Sequence, residues 1–325
     1  MKTPTRVALL VTALVLAATI ALTQAAYRRD IRRAFERVAT GSRVVQTPCG
    51  PIEYAAAGVG EPVLVVHGAG GGFDQGIDFA RALAGRGWRV IAMSRFGYLR
   101  TPLPAEASAA AQADAHACLL DALDIRRAAI IGASAGAPSS LQFAVRHPER
   151  CTALVLLVPA AYVPRPGGAA SLTTPAWTRL LASTALRSDF LLWAAIRLAP
   201  STVIGSLLAT PPEVVQRASA GEQARVAEIL DHILPVSARR LGLMNDAAIT
   251  STLSRAPLEH IAAPTLTISL ADDGFGTYDG ARYTAEHIPG ARFIGYARGG
   301  HVWVGHQEEV AAAIATFLGA ATGRR

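Results

Sequence analysis

Gly132-Ala133-Ser134-Ala135-Gly136 follows directly on the apolar run Ala128-Ala129-Ile130-Ile131. The run has the length and composition of a buried strand, and Ala135 to Arg146 reads as a helix, with Pro138 in its first turn where a missing N–H costs little. A chain that passes from strand to helix through Gly-x-Ser-x-Gly must turn sharply and lift the serine hydroxyl out of the turn. Small neighbours are needed because adjoining segments approach closely and the backbone is strained. The segment thus demands a strand, a sharp turn and a helix in succession.

The rest of the chain supplies that unit repeatedly. Arg43–Thr47 and Ile52–Ala56 read as an opening hairpin around Cys49-Gly50-Pro51. Pro62–Val66 is then a strand, Gly76–Gly85 a helix, Trp88–Ser94 a strand, Ala111–Leu123 a helix, and Cys151–Val158 a strand. Further strands are expected at Pro264–Leu270 and Ala291–Tyr296, and a final helix over Gln307–Leu318 presents Val310, Ile314 and Phe317 on one face. Such alternation implies an α/β fold with a mostly parallel central sheet flanked by helices.

Three further segments fall into order around the serine. Pro62–Val66 runs into His67-Gly68-Ala69-Gly70-Gly71-Gly72, Pro264–Leu270 ends in Ala271-Asp272-Asp273-Gly274, and Ala291–Tyr296 is followed by Gly299-Gly300-His301. With these motifs over roughly residues 44–160 and 262–325, the chain resembles a serine hydrolase of the α/β-hydrolase fold. The resemblance implies Ser134 as nucleophile, His301 as general base and acid, and Asp273 as the triad acid, with Asp272 its rival in the same turn. It implies oxyanion donors at the backbone N–H of Ala135 and of Ala69, with Gly70 the rival to Ala69. His67 is expected to hold that loop rather than react.

The residue types suit this chemistry on their own terms. A serine hydroxyl is a poor nucleophile until a neighbouring base takes its proton, and imidazole does so near neutral pH. A carboxylate fixes the imidazole tautomer and stabilises the imidazolium. Two backbone amides then hold the developing oxyanion, and losing one donor costs on the order of 100-fold in turnover.

Other chemistries lack their residues. Lys2 is the only lysine, so no phosphate-loop lysine is available. There is no His-Glu-x-x-His, and Cys49, Cys118 and Cys151 show no paired spacing, so neither a metal nor a cofactor is expected. Serine at position 134, where some similar proteins carry aspartate, argues against dehalogenase or epoxide chemistry.

At the other end, Val7 to Tyr27 carries no charge over 21 residues. At about 1.5 Å per residue it can span a hydrocarbon core of about 30 Å. Lys2 and Arg6 precede it; Arg28, Arg29, Arg32 and Arg33 follow. Residues 1–27 are expected to be a single-pass membrane anchor, the alternative being a signal segment cleaved on export near Thr23-Gln24-Ala25-Ala26. The arginines taken alone would place the following domain on the cytoplasmic side, whereas a signal anchor would place it outside. An odd number of cysteines leaves the side open.

Residues 1–43 hold eight basic and two acidic side chains, and so carry six of the seven net positive charges. Residues 28–43 therefore read as a basic juxtamembrane arm suited to anionic headgroups. The remainder has no broad basic face, so no nucleic-acid partner is expected.

Between residues 161 and 261 the alternation stops. Phe190–Leu198 and Glu222–Ile233 are the clearest helices, the second with a stripe of Val226, Ile229, Leu230 and Ile233. This resembles the helical cap inserted in the family, and it defines the division expected here: a core of 44–160 and 262–325 with a cap of 161–261. Trp177, Phe190, Trp193 and Met244 are candidate pocket walls, or else plain cap core. One departure stands out: Ser94-Arg95-Phe96-Gly97 replaces the acid and proline usual in the turn after the second parallel strand of similar proteins. The expected function is cleavage of an ester or related acyl bond in a small-molecule substrate with an apolar portion. The same constellation could serve acyl transfer, perhydrolysis or C–C bond hydrolysis, and the same scaffold could bind a ligand without catalysis.

Overall fold

The computed structural model describes residues 3–164 and 186–323. Trp177 and most of the Pro164–Gly168 segment lie outside the described residues. The core is one eight-stranded sheet of β1 (Arg43–Thr47), β2 (Gly50–Ala57), β3 (Glu61–Val66), β4 (Trp88–Met93), β5 (Ala128–Ala133), β6 (Cys151–Leu157), β7 (Thr265–Leu270) and β8 (Arg292–Tyr296). The spatial order is β1-β2-β4-β3-β5-β6-β7-β8. β1 and β2 form an antiparallel hairpin, β2 is antiparallel to β4, and every later pairing is parallel.

Val63–Val66, Ile130, Ile131 and Leu154–Leu157 are wholly or almost wholly buried, as strands covered on both faces must be. One face is covered by α3 (Ala109–Ala122), α4 (Ala137–Arg146) and residues such as Leu120, Phe143 and Ile288. α2 (Phe73–Ala84) and α11 (Gln307–Thr322) cover the other, with Leu83, Val310, Ile314 and Phe317 buried against Val65 and Val155. A further helix, α10 (Thr277–His287), connects β7 to β8.

Between β6 and β7 the described residues form only helices: α5 (Asp189–Leu198), α6 (Pro200–Leu207), α7 (Pro212–Arg217), α8 (Ala220–His232) and α9 (Arg240–Ser251), besides short 3-10 turns. They have their own apolar cluster, including Leu192, Trp193, Ile196, Val226 and Leu230. Phe190 and Trp193 belong to this cluster, whereas Met244 is 61% exposed.

α1 (Thr3–Ala39) is one unbroken helix, and from Val7 it is long and apolar enough to cross a membrane. Its second half follows a helical stripe that the charge pattern concealed. Ala26, Tyr27, Ile31 and Ala34 pack into the cluster of the helical insertion. Tyr27 meets the rings of Phe190 and Trp193 edge-on, and Asp30 accepts from Trp193 Nε1 (3.0 Å) and Arg197 (3.1 Å). Arg28, Arg29, Arg32 and Arg33 occupy the opposite, exposed face. Arg37 turns inward to the carbonyls of His232 and Leu234.

The cysteine reading requires correction. Cys49 and Cys118 are disulfide-bonded, with Cα atoms 6.1 Å apart, and only Cys151 is free and buried. Sixty-nine residues separate the pair, so no local spacing announces it; the β1–β2 turn and α3 are brought together by the sheet.

Candidate active site

Ser134 takes a left-handed conformation, φ 48°, at the point where β5 ends. The flanking glycines have specific steric reasons. A Cβ on Gly132 would lie 2.4 Å from Ser140 Oγ, and one on Gly136 would lie 2.6 Å from the carbonyl oxygens of Val66 and His67. The tight turn exists because nothing larger fits between β5, α4 and the end of β3.

His301 follows β8, and Asp273 follows β7. His301 Nε2 lies 2.9 Å from Ser134 Oγ, and its Nδ1 lies 2.8 Å from Asp273 Oδ2. Asp273 is also held by the N–H of Phe275 on Oδ1 (2.9 Å) and by the Thr277 hydroxyl on Oδ2. Phe275 stacks edge-on against the imidazole at 4.8 Å. Asp273 and His301 are buried, while Ser134 remains partly accessible. Such a chain can move a proton from hydroxyl to imidazole while the carboxylate keeps the ring oriented.

Asp272 points elsewhere. It accepts the N–H groups of Gly299 (3.0 Å) and Gly300 (2.8 Å), fixing the turn that presents His301. The two aspartates thus divide into one that meets the imidazole and one that shapes its loop.

The loop after β3 faces Ser134 from the other side; a Cβ on Gly68 would sit 3.0 Å from Ser134 Cβ. Its amides are mostly taken. Gly68 N–H donates to Gln75 Oε1 (3.0 Å), Gly70 N–H to Tyr98 Oη (3.2 Å), and Gly71 N–H to Gly68 O (3.3 Å). Ala69 N–H, between them, has no partner among the described residues, and Ala69 is exposed. Ala135 N–H heads the 3-10 turn Ser134–Gly136, where amides have no intrahelical acceptor.

His67 locks this loop in place. Arg95 N–H donates to its Nε2 (3.0 Å), which leaves the proton on Nδ1, 2.7 Å from Gly68 O. Complete burial and then the nearby Arg95 cation hold its pKa well below the usual histidine range, so it stays neutral. Arg95 in turn donates to His67 O and makes a two-pronged pair with Asp246 of α9, both contacts at 2.6 Å. Tyr98, which receives Gly70 N–H, donates to the same Asp246 (2.6 Å); burial and then that carboxylate push its phenol pKa up.

A second pair does similar work. Arg239, wholly buried, reaches from the helical insertion to Gly71 O (2.5 Å) and to both oxygens of Asp74 in α2. Burial disfavours the Asp74 carboxylate, but Arg239 more than offsets this and its pKa is lowered.

The insertion also touches the turn of Asp273 and the His301 loop. Gly274 N–H donates to Ala209 O (2.8 Å), Thr210 fills the space where Gly300 lacks a side chain, and Arg225 donates to Val302 O (2.8 Å). Sequence reasoning missed Arg95, Asp246, Arg239 and Asp74. Their only signal was the departure at Ser94-Arg95-Phe96, where Ser94 and Phe96 stand in place of an acid and a proline on either side of Arg95.

The α/β hydrolase fold family matches residues 61–304. The uncharacterized hydrolase YcgS of Bacillus subtilis (strain 168) is 26% identical over 272 residues, spanning 79% of this chain and 91% of that protein. A 2-hydroxy-6-oxononadienedioate/2-hydroxy-6-oxononatrienedioate hydrolase of Paraburkholderia xenovorans (strain LB400) is 36% identical over 143 residues, 41% of this chain and 48% of that protein, so the likeness covers about half of it. Among solved structures, an α/β hydrolase fold protein from Nakamurella multipartita superposes with a TM-score of 0.68 at 30% identity, over 85% of this chain and 98% of that one. With its sheet order, helical insertion and the match over residues 61–304, the chain belongs to the α/β hydrolase fold family.

Proposed function

We propose that this protein is a serine hydrolase that cleaves an ester or related acyl bond through Ser134, His301 and Asp273. The observation that carries this reading is the unbroken contact chain Ser134 Oγ–His301 Nε2 (2.9 Å) and His301 Nδ1–Asp273 Oδ2 (2.8 Å). His301 takes the hydroxyl proton as Ser134 attacks the acyl carbon, and the carbonyl oxygen becomes an oxyanion held by the N–H groups of Ala69 and Ala135. His301 then gives the proton to the leaving alcohol oxygen. Water, deprotonated by the same imidazole, attacks the acyl-enzyme; collapse of the second oxyanion releases the acid and returns the proton to Ser134. No cofactor enters any of these steps.

In this reading the helical insertion is a cap, and its contacts with the loops of Ala69 and His301 hold both halves of the site. A cavity of about 300 Å³ lies between the insertion and the core, with Pro138, Leu141, Ala160, Tyr162, Ile249 and Leu253 among its walls. Its mostly apolar walls suit the apolar part of a small substrate, and one of them, Ala160, donates its N–H to Ser134 O (3.1 Å) beside the elbow.

α1 is taken as a single-pass anchor, with export after signal cleavage as the alternative. The Cys49–Cys118 disulfide favours a catalytic domain on the oxidising side of the membrane, against the placement read from the arginines alone. The partial likeness to a hydrolase of a 2-hydroxy-6-oxo dienoate supports a second reading, in which the same three residues cleave a C–C bond.

The test is covalent labelling of the full chain, in detergent, by a fluorophosphonate probe beside Ser134→Ala. Labelling lost only in the variant, followed by turnover on an ester panel, is the expected result. Turnover confined to a dienoate of the C–C type would move the reading to the second one. A folded wild-type chain that takes no label would overturn both.

A further inference from the structure

We infer that the α5 surface of the helical insertion is seated in the headgroup layer of the bilayer, with Leu191 and Leu198 turned to lipid. This rests on the anchor reading of α1 and adds a second membrane contact to it.

The argument is one of depth. Val7 to Ala26 is twenty residues of uncharged helix, exposed as far as Leu22, which spans about 30 Å, the thickness of a hydrocarbon core. The headgroup layer adds about 5–7 Å on each side. Tyr27 and Asp30 lie within about 6 Å of the end of the apolar stretch, and these are the residues of α1 that touch α5. Because α1 runs on without a break, the insertion is fixed at that depth and cannot swing away on a linker.

The contacts with α5 fall on a short stretch of α1. From Phe190 to Arg197 α5 advances about 10 Å, while its partner on α1 moves only from Tyr27 to Asp30, about 4.5 Å. α5 therefore meets α1 within about one turn of α1, at the end of its apolar stretch.

Its outward face is apolar where a water-facing helix would be polar. Leu191 and Leu198, seven residues apart and so on one face, are 43% and 85% exposed, while Leu192, Trp193 and Ile196 point into the insertion. Tyr27, Phe190 and Trp193 cluster at the depth where aromatic side chains gather at membrane interfaces. Arg28, Arg29, Arg32 and Arg33, on the free face of α1, stand at the same level and match anionic headgroups. After α5 the chain bends by 116° into α6, which leads to Ala209 and Thr210 against the His301 loop. The membrane contact is thus one short helix away from the candidate site.

The test places a single new cysteine in the full chain, Leu198→Cys or Leu191→Cys, with Val59→Cys as the control. Val59 is 79% exposed in the β2–β3 turn, at the opposite end of the sheet from Ser134. Burial raises the thiol pKa of Cys151 to about 12, so it does not compete for the label. Each variant is labelled with an environment-sensitive fluorophore and reconstituted into phosphatidylcholine–phosphatidylglycerol vesicles containing a headgroup-level nitroxide lipid. The expected result is flotation of the chain with the vesicles, loss of emission at positions 198 and 191, and none at 59. Flotation with positions 198 and 191 unquenched would overturn the seating while leaving the anchor intact. Equal quenching at all three positions would overturn it as well. Failure to float would remove the anchor and the seating together, without touching the labelling of Ser134.

Discussion

Arg95, in the turn after β4, and Asp246, in α9, meet in a two-pronged ion pair whose members are each 4% exposed. The pair ties the helical insertion to the loop of Ala69 by two routes, through His67 and through Tyr98 to Gly70. Asp246→Ala would leave the Arg95 cation buried without its partner, a loss of about 3–5 kcal/mol of stability. Asp246→Asn keeps acceptors for Arg95 and Tyr98 and should lose less. Denaturant unfolding of both variants in detergent checks this; an unchanged midpoint for Asp246→Ala would remove the pair from the account of the fold. Turnover should fall in both variants, because the loop that holds Ala69 N–H loses its anchor.

The neighbouring aspartates should separate kinetically. Asp273→Asn removes the carboxylate that orients His301 and should lower kcat by on the order of 10⁴ with little change in stability. Asp272→Asn weakens the acceptor of two backbone amides and should lower stability by about 1–3 kcal/mol, with a far smaller loss of kcat. Paired kcat and melting measurements decide it, and the reverse pattern would exchange the two roles.

What sequence could reveal of this site was what is local. Ser134, His301 and the Asp272-Asp273 pair each follow a strand in a short motif, and the parallel sheet then has to bring the strand ends together. The strands themselves were legible because burial on both faces demands continuous apolar runs. The helices of the insertion were harder to read: α6, α7 and α9 are short or have mixed surfaces, and their register is set by packing. Arg239 and Asp246 carry no local signal, since nothing in a linear sequence marks a charge whose partner lies 165 or 151 residues away. The apparent basic arm likewise concealed a packed stripe of Tyr27, Ile31 and Ala34, because arginines dominate its composition.

The Cys49–Cys118 disulfide closes a long loop between the β1–β2 turn and α3. Cys49→Ala with Cys118→Ala should lower stability by about 2–4 kcal/mol, chiefly by freeing the unfolded chain. A non-reducing gel of the full chain, expressed with and without export, reports the bond directly. Oxidation only in the exported protein would agree with a domain on the oxidising side, and a fully reduced exported chain would contradict it.

Two buried histidines make the fold lose stability as pH falls. His116, against Ser139 beneath the elbow helix, has its pKa lowered to about 3, chiefly by burial and then by the Arg95 cation. His67 is likewise lowered, by burial first. The unfolded chain takes up a proton near the ordinary histidine value of about 6.5, while the native state refuses it until far lower pH. Above that value neither state gains a proton and the contribution to stability is complete. As pH falls below it the unfolded state binds more protons, so stability declines by about 1.4 kcal/mol per pH unit for each histidine. For His116 the decline continues down to about pH 3, where the native state also protonates. His116→Gln removes one of these sites while keeping a polar group opposite Ser139. Its unfolding free energy should therefore fall less steeply between about pH 6 and about pH 5 than that of the wild type, by about 1.4 kcal/mol per unit. Denaturant unfolding at a series of pH values measures both slopes, and identical slopes would mean that His116 already carries its proton in the native fold.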